Sequence, residues 1–338
     1  MSSVEQAPVG APQRRSVTPS RGMSTFYRHY GLQAGTVLMA VIIWVIFVFG
    51  SSETWLHFDI YSSLMSTVPV TQSGIIALTL TLVVIAGEID LSFGSVMAVG
   101  TWVFMSCPQP ELGLIAGIAA GLGVGLLNGL IVVRFGIPSL VATIGTWFFW
   151  AGIVLVGTGA AGAGTDFAGG FTTNLLTGRI GGYVPAEMPW MMGFALLLWV
   201  LLNRHRFGAH VYLVGDNDQS ARMMGVRSDH VKMGVFALNG AAAAFAGISS
   251  TLEAHYFWPT VGSGAMLPTV AAVFLGGTSI FGGRGTIFGT FVAAFVIGAI
   301  EPGIVSIGLT GFYTQVIYGA VIVVALIVQS AVRGRVQR

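Results

Sequence analysis

Long apolar stretches separated by short polar breaks fill almost the whole chain. Ten of them stand out, at about 34–49, 64–86, 91–106, 112–133, 138–158, 188–203, 232–253, 262–280, 285–303 and 311–332. A hydrocarbon core takes about 20 helical residues. The pattern therefore predicts bilayer-crossing helices, with shorter ones such as 91–106 entering the core only in part. Hydrophobic residues make up 54% of the chain and charged residues 8%, against roughly a quarter charged in a soluble domain. A soluble fold of this size would have too few charges to coat itself. The expectation is an all-α integral membrane protein of about ten transmembrane helices, residues 34–332, with cytoplasmic tails at 1–33 and 333–338.

Charge changes the picture by giving that bundle a direction. Lys and Arg in short loops stay cytoplasmic. With the N-terminus inside, Arg14, Arg15, Arg21, Arg28, Arg134, Arg204, Arg206, Arg222, Arg227, Lys232, Arg284, Arg333, Arg335 and Arg338 all fall inside. Only Arg179 falls outside, together with Glu53, Asp59, Glu111, Asp166, Glu187, Glu253 and Glu301. The net charge of +2 follows from this topology and calls for no nucleic-acid partner. The Pro-, Ser- and Arg-containing first thirty residues read as a mobile cytoplasmic tail rather than a signal peptide. Cys107 is the only cysteine, so no intrachain disulfide forms, and no Cys/His metal spacing occurs. No cofactor is expected.

Two loops are long enough to matter. The outer one, about 159–187, is rich in Gly, Ala and Thr and reads as a lid, a docking surface or a plain connector. The inner one, about 204–231, is basic and holds one short helix from Asn217 to Met224. Asn217 can cap its first turn, Asp218 suits the positive end of its dipole, and Gly225 can end it in a left-handed conformation. Ala221 and Met224 would share one face. Two turns are not stable alone, so this helix needs a partner surface.

Two further segments concentrate chemistry. In VIAGEIDLSFGSVMAVG, residues 84–100, Glu88 and Asp90 lie between apolar spans, with Ser92 close by and Gly87 and Gly94 bracketing them. Acids at membrane depth are costly and face a bundle interior or a wet cavity, and the glycines suggest a broken helix. The other reading, that Asp90 only caps the next helix, stays open. In AAVFLGGTSIFGGRGTIFGT, residues 271–290, Gly276, Gly277, Gly282 and Gly283 permit a tight turn at Arg284. No GxxxxGK[ST] pattern occurs anywhere, so a nucleotide would have to bind elsewhere. Close helix packing is the plainer role for most of the 48 glycines. At an offset of 189, Val84, Gly87, Gly94, Gly100 and Thr101 fall on Val273, Gly276, Gly283, Gly289 and Thr290, a hint of two related halves.

Three groups of residues carry a resemblance. They are Gly87 with Ile89, Asp90, Leu91, Ser92, Gly94 and Ser95; then Gly215, Asn217, Ala221, Arg222 and Gly225; then Gly276 to Ser279 with Phe281 to Gly285. In this order and spacing the chain resembles the permease family of bacterial ABC importers for ribose, xylose, arabinose and related monosaccharides. The commoner form of the first motif has a second glycine where this chain has Glu88. The resemblance implies a ten-helix subunit of the inner membrane that pairs with a second permease copy or paralogue. A cytoplasmic ATP-binding subunit and a periplasmic sugar-binding protein would complete the importer. Asn217 to Gly225 matches the short helix that seats in the ATPase in such importers, so ATP hydrolysis would belong to the partner.

Two other classes compete. A proton-coupled secondary transporter could use Glu88 and Asp90, but no Lys or His lies mid-span to relay protons. An intramembrane enzyme needs a nucleophile with a base, or metal ligands. His29, His57, His205, His210, His230 and His255 all lie at span ends or in loops, with no HExxH spacing.

Overall fold

The computed structural model describes residues 23–66, 68–165, 167 and 169–336, so residues 1–22 of the expected tail lie outside the described residues. The chain divides into a short unit, Met1–Gly31, and one large body, Leu32–Arg338. Helix α1, Met23–Gly50, starts eleven residues before the expected span, so residues 23–33 are helical. Two short helices follow, α2 (Ser52–Trp55) and α3 (Phe58–Leu64), then a π-turn at Val68–Gln72 leading into α4 (Ser73–Ile85). After a break come α5 (Phe93–Met105), α6 (Pro110–Phe135) and α7 (Ser139–Thr158).

The loop at about 159–187 is partly built. Strand β1 (Ala163–Gly164), helix α8 (Phe171–Thr177) and strands β2 (Arg179–Ile180) and β3 (Val184–Pro185) occupy it. β2 pairs with β3, and β1 pairs antiparallel with β4 (Tyr256–Phe257), so this loop is stitched to the segment after α12. The loop at about 204–231 holds more helix than its sequence suggests. α9 (Glu187–Arg204) is followed at once by α10 (Arg206–Asp216), α11 (Asp218–Met223) and α12 (Ser228–Ala254). α10 was not expected. Its His205 Nδ1 accepts from the Phe207 N–H at 3.1 Å, a capping interaction that a loop reading of basic sequence overlooks. The chain ends with α13 (Met266–Leu275), α14 (Ile287–Ser306) and α15 (Tyr313–Val336).

Helix ends follow local chemistry. α6 opens on Pro110 with Glu111 in its first turn, carries Arg134 in its last, and stops at Gly136 with φ +65°. Packing follows small residues. Gly113, Gly117, Gly121, Gly125 and Gly129 recur every fourth position along one face of α6. A methyl added at Gly121 would strike the Gly240 carbonyl, and one at Gly129 would lie 2.9 Å from the Met233 α-carbon, so α6 and α12 touch backbone to backbone.

Ten full spans are more than helix length alone gives. Among the described residues, five helices are long and apolar enough to cross a bilayer: Gln33–Gly50, Pro110–Phe135, Ser139–Thr158, Ser228–Ala254 and Ile287–Ser306. Val70–Ile85, Phe93–Met105 and Ser263–Leu275 are apolar but shorter, and Tyr313–Ile327 is an apolar part of α15. Two of the stretches that read as continuous are interrupted: 64–86 by a turn at Met65 and Ser66, and 262–280 by the turn at Gly276 and Gly277.

Candidate functional site

Three separate segments meet through their backbones. α4 ends after Ile85 with Gly87 at φ +84°, its N–H donating to the Val84 carbonyl at 3.0 Å and that of Glu88 to Val83 at 3.1 Å. Gly215, near the end of α10, presses against this point; a side chain there would overlap the Ile85 carbonyl. From the glycine turn, the Gly283 N–H donates to that same carbonyl at 2.8 Å. A Cβ on Gly282 would lie 2.6 Å from the Gly215 oxygen and 3.0 Å from the Gly87 α-carbon. Tyr212 of α10 donates its hydroxyl to the Gly285 carbonyl at 2.8 Å. Arg284 at the turn is exposed.

The break between α4 and α5 is sealed by side chains from elsewhere. Ser139 Oγ accepts from the Ile89 N–H at 3.0 Å, and Thr143 Oγ1 from the Leu91 N–H at 3.2 Å. Such partners are what irregular backbone at membrane depth requires. Asp90 is 1% exposed. Its Oδ1 accepts from the Ser92 N–H at 2.9 Å and the Ser92 hydroxyl at 2.6 Å, and its Oδ2 from the Asn239 amide at 3.0 Å. Asn128 donates to Ser92 Oγ at 2.6 Å, and Asn239 Oδ1 accepts from Thr79 at 2.9 Å. Asp90 is not the cap of α5, whose N-cap is Ser92: it holds Ser92 and ties the break to α12. Gly94, one turn on, lets the Gly262 carbonyl approach, where a Cβ would lie 2.9 Å from it.

A second break, from Gly276 to Thr286, is built alike. Gly277 has φ +84°, and the Thr278 N–H donates to Val273 at 3.3 Å. Gln329 of α15 accepts from the Ile280 N–H at 3.2 Å and donates to the Thr278 carbonyl at 3.0 Å. The left-handed glycines that correspond are Gly87 and Gly277. That is one position away from the pairing of Gly87 with Gly276 given by the sequence offset.

An ion chain runs from the first break to α11. Lys232 Nζ lies 2.7 Å from Glu88 Oε1 and 3.7 Å from Asp218 Oδ2. Arg222 lies 3.4 Å from Asp218 and also bonds Asp229. Burial alone would raise the Asp218 carboxyl, but the nearby Ser228 hydroxyl and the Lys232 and Arg222 charges outweigh it and hold it below its ordinary value. Asn217 Oδ1 accepts from the Ser220 N–H at 2.9 Å, and Gly225 ends the helix at φ +83°. One expectation is corrected here. Ala221 does not share an outward face with Met224: it is fully buried in its own chain, while Met223 and Met224 are 81% and 63% exposed. The Met224 N–H still bonds the Ser220 carbonyl at 3.1 Å, so the two differ by what packs against them: Ala221 is covered by its own bundle and Met224 is not.

Sequence reasoning missed Asn128, Asn239, Lys232, Ser139, Thr143 and Gln329. The signal for the two asparagines was present, since a buried amide inside an apolar helix needs a partner.

Residues 62–326 match the family described as branched-chain amino acid transport system / permease component. The ribose import permease protein RbsC of Bacillus subtilis is 34% identical over 265 residues, 75% of this chain and 80% of the relative. The Escherichia coli K12 protein of the same name is 32% identical over 76% of this chain and 82% of its own. The autoinducer 2 import system permease protein LsrD of Salmonella typhi is 31% identical over 87% of this chain and 90% of its own. No solved structure matches. By the extent of the family match and the coverage of these relatives, the chain belongs to the branched-chain amino acid transport system permease component family.

Proposed function

We propose that this chain is the membrane-spanning permease subunit of an ATP-driven importer for a monosaccharide or a similar small polar solute. The relatives named for ribose and autoinducer 2 import support the solute class more directly than the family's own description does. The five long spans, three shorter apolar helices, the apolar part of α15 and α9 support a count of ten passes. The distribution of Arg and Lys supports cytoplasmic termini at the inner membrane. The proposed assembly adds a second permease, a cytoplasmic ATP-binding subunit and a periplasmic sugar-binding protein.

The observation that carries the reading is the position of α11. It is capped by Asn217, anchored by buried Ala221, exposes Met223 and Met224, and stands next to the break that holds Asp90. In this reading α11 seats in the ATPase, and Glu88, Asp90, Ser92 and the glycine turn lie where the path changes between its two states. The test is reconstitution into proteoliposomes with the ATPase and sugar-binding protein of the proposed assembly. Uptake of labelled D-ribose should need ATP, survive collapse of the proton gradient, and be absent without the ATPase; the subunit alone should hydrolyse no ATP. Uptake driven by a proton gradient alone would establish the secondary-transporter reading instead. Orientation is checked by single cysteines in a Cys107→Ala background. Tyr183→Cys should react with an impermeant reagent from outside, and Gln219→Cys only after permeabilisation.

A further inference from the structure

We propose that Lys232 is the link through which movement of α11 reaches the Asp90 break. The proposal rests on the reading of α11 as the ATPase-contacting helix and names how that contact is transmitted. Glu88 and Asp90 belong to the same short break, and both are fastened to α12. Glu88 is held by Lys232 at 2.7 Å, and Asp90 by Asn239 at 3.0 Å, two helical turns further along. The segment 88–90 therefore cannot shift without α12 or without breaking one of these contacts. Lys232 is also the one of these α12 contacts that reaches α11, through Asp218 at 3.7 Å. One ammonium is thus divided between a carboxylate on the moving helix and a carboxylate on the break.

Exposure decides which of its two contacts is stiff. In the Lys232–Glu88 pair the side chains are 17% and 10% exposed, whereas Asp218 is 36% exposed. Salt and water screen the buried contact less, so Lys232 stays with Glu88 while Asp218 is the partner that comes and goes. Displacing α11 changes the charge facing Lys232 and with it the hold on Glu88. Glu88 and Lys232 are positioning residues in this account. A competing route exists, because Gly215 touches the Ile85 carbonyl directly and could push the break through backbone alone.

The experiment is peptide-level hydrogen exchange on the permease bound to its ATPase in nanodiscs, with and without ATP–vanadate. In the wild-type complex, trapping should change exchange by at least about threefold both over 217–224 and over 84–92. The second window contains the Gly87, Glu88, Ile89 and Leu91 amides, whose partners are described above. The variant is Glu88→Gln with Lys232→Met, which removes both charges and leaves neither buried and unpaired. It should match wild type in membrane level and melting, keep the change over 217–224, and lose it over 84–92. Lys232→Arg, which keeps the charge, should behave as wild type. An unchanged response over 84–92 in the double variant overturns the proposal and assigns transmission to the Gly215 contact. Loss of that response in Lys232→Arg as complete as in the double variant overturns it in favour of side-chain packing. No response over 217–224 in wild type overturns the underlying reading of α11, an outcome distinct from the other two.

Discussion

The carbonyl oxygen of Ile85 and the α-carbon of Gly215 touch, leaving no room for a side chain between them. Two helix ends therefore meet with only backbone at the contact, and the Gly283 N–H closes on the same oxygen. Gly215→Ala should force α10 away from the break, at the roughly 1–3 kcal/mol typical of overpacking. Gly123→Ala in α6, where nothing lies within 4 Å, should be neutral or stabilise slightly through helix propensity. Melting of the two purified variants in one detergent checks both. Equal melting temperatures would contradict the contact.

The Asp90 network separates hydrogen bonding from charge. Asp90→Ala strands the Ser92 N–H, the Ser92 hydroxyl and the Asn239 amide, at about 1–3 kcal/mol for each unsatisfied donor. Asp90→Asn should fold within about 1 kcal/mol of wild type. Asn239 can turn its amide over, because the Thr79 hydroxyl already has the Ile76 carbonyl at 2.9 Å as another acceptor. Thermal unfolding and membrane level decide the matter. If the Asn variant is as damaged as the Ala variant, the carboxylate charge itself is required.

Ala221 and Met223 should fail in different ways. Ala221→Glu puts a charge at a fully buried position of the chain's own fold, so the permease should lose stability before any partner is considered. Met223→Glu changes a side chain that is 81% exposed, so the isolated permease should be unaffected. ATPase recovered by co-purification should fall at least about tenfold, equivalent to 1.4 kcal/mol. Full recovery with Met223→Glu would remove that residue from the contact.

The Asp218 carboxyl supplies a pH signature. Its folded value lies below its unfolded one, so its contribution is complete above the ordinary Asp value of about 3.9 and disappears as pH falls through the lowered folded value. Wild type and Asp218→Asn should therefore differ by a constant amount from pH 5 to pH 8, and less as the solution becomes more acidic. With a side chain 36% exposed, the constant difference should stay under about 1 kcal/mol. Melts across a pH series measure it. A difference that grows on acidification would reverse the sign.

The sequence by itself determined the apolar helical character and marked the three segments whose backbones meet. Both follow from composition and from backbone chemistry, which are local. Apolar runs of helical length show in composition alone, and Gly87, Asn217 and Gly225 carry their caps and turns in their own neighbourhood. Tertiary structure decided what the local pattern could not hold. It set where apolar runs are interrupted, because the amides of Ile89, Leu91 and Ile280 find partners only in Ser139, Thr143 and Gln329, which lie far along the chain. It turned Ala221 inward and Met223 outward, because burial on a two-turn helix depends on the bundle beneath it. It also joined Glu88 to Lys232 and Asp90 to Asn239, since a buried charge or amide is satisfied by whichever helix packs against it, whatever the distance in sequence.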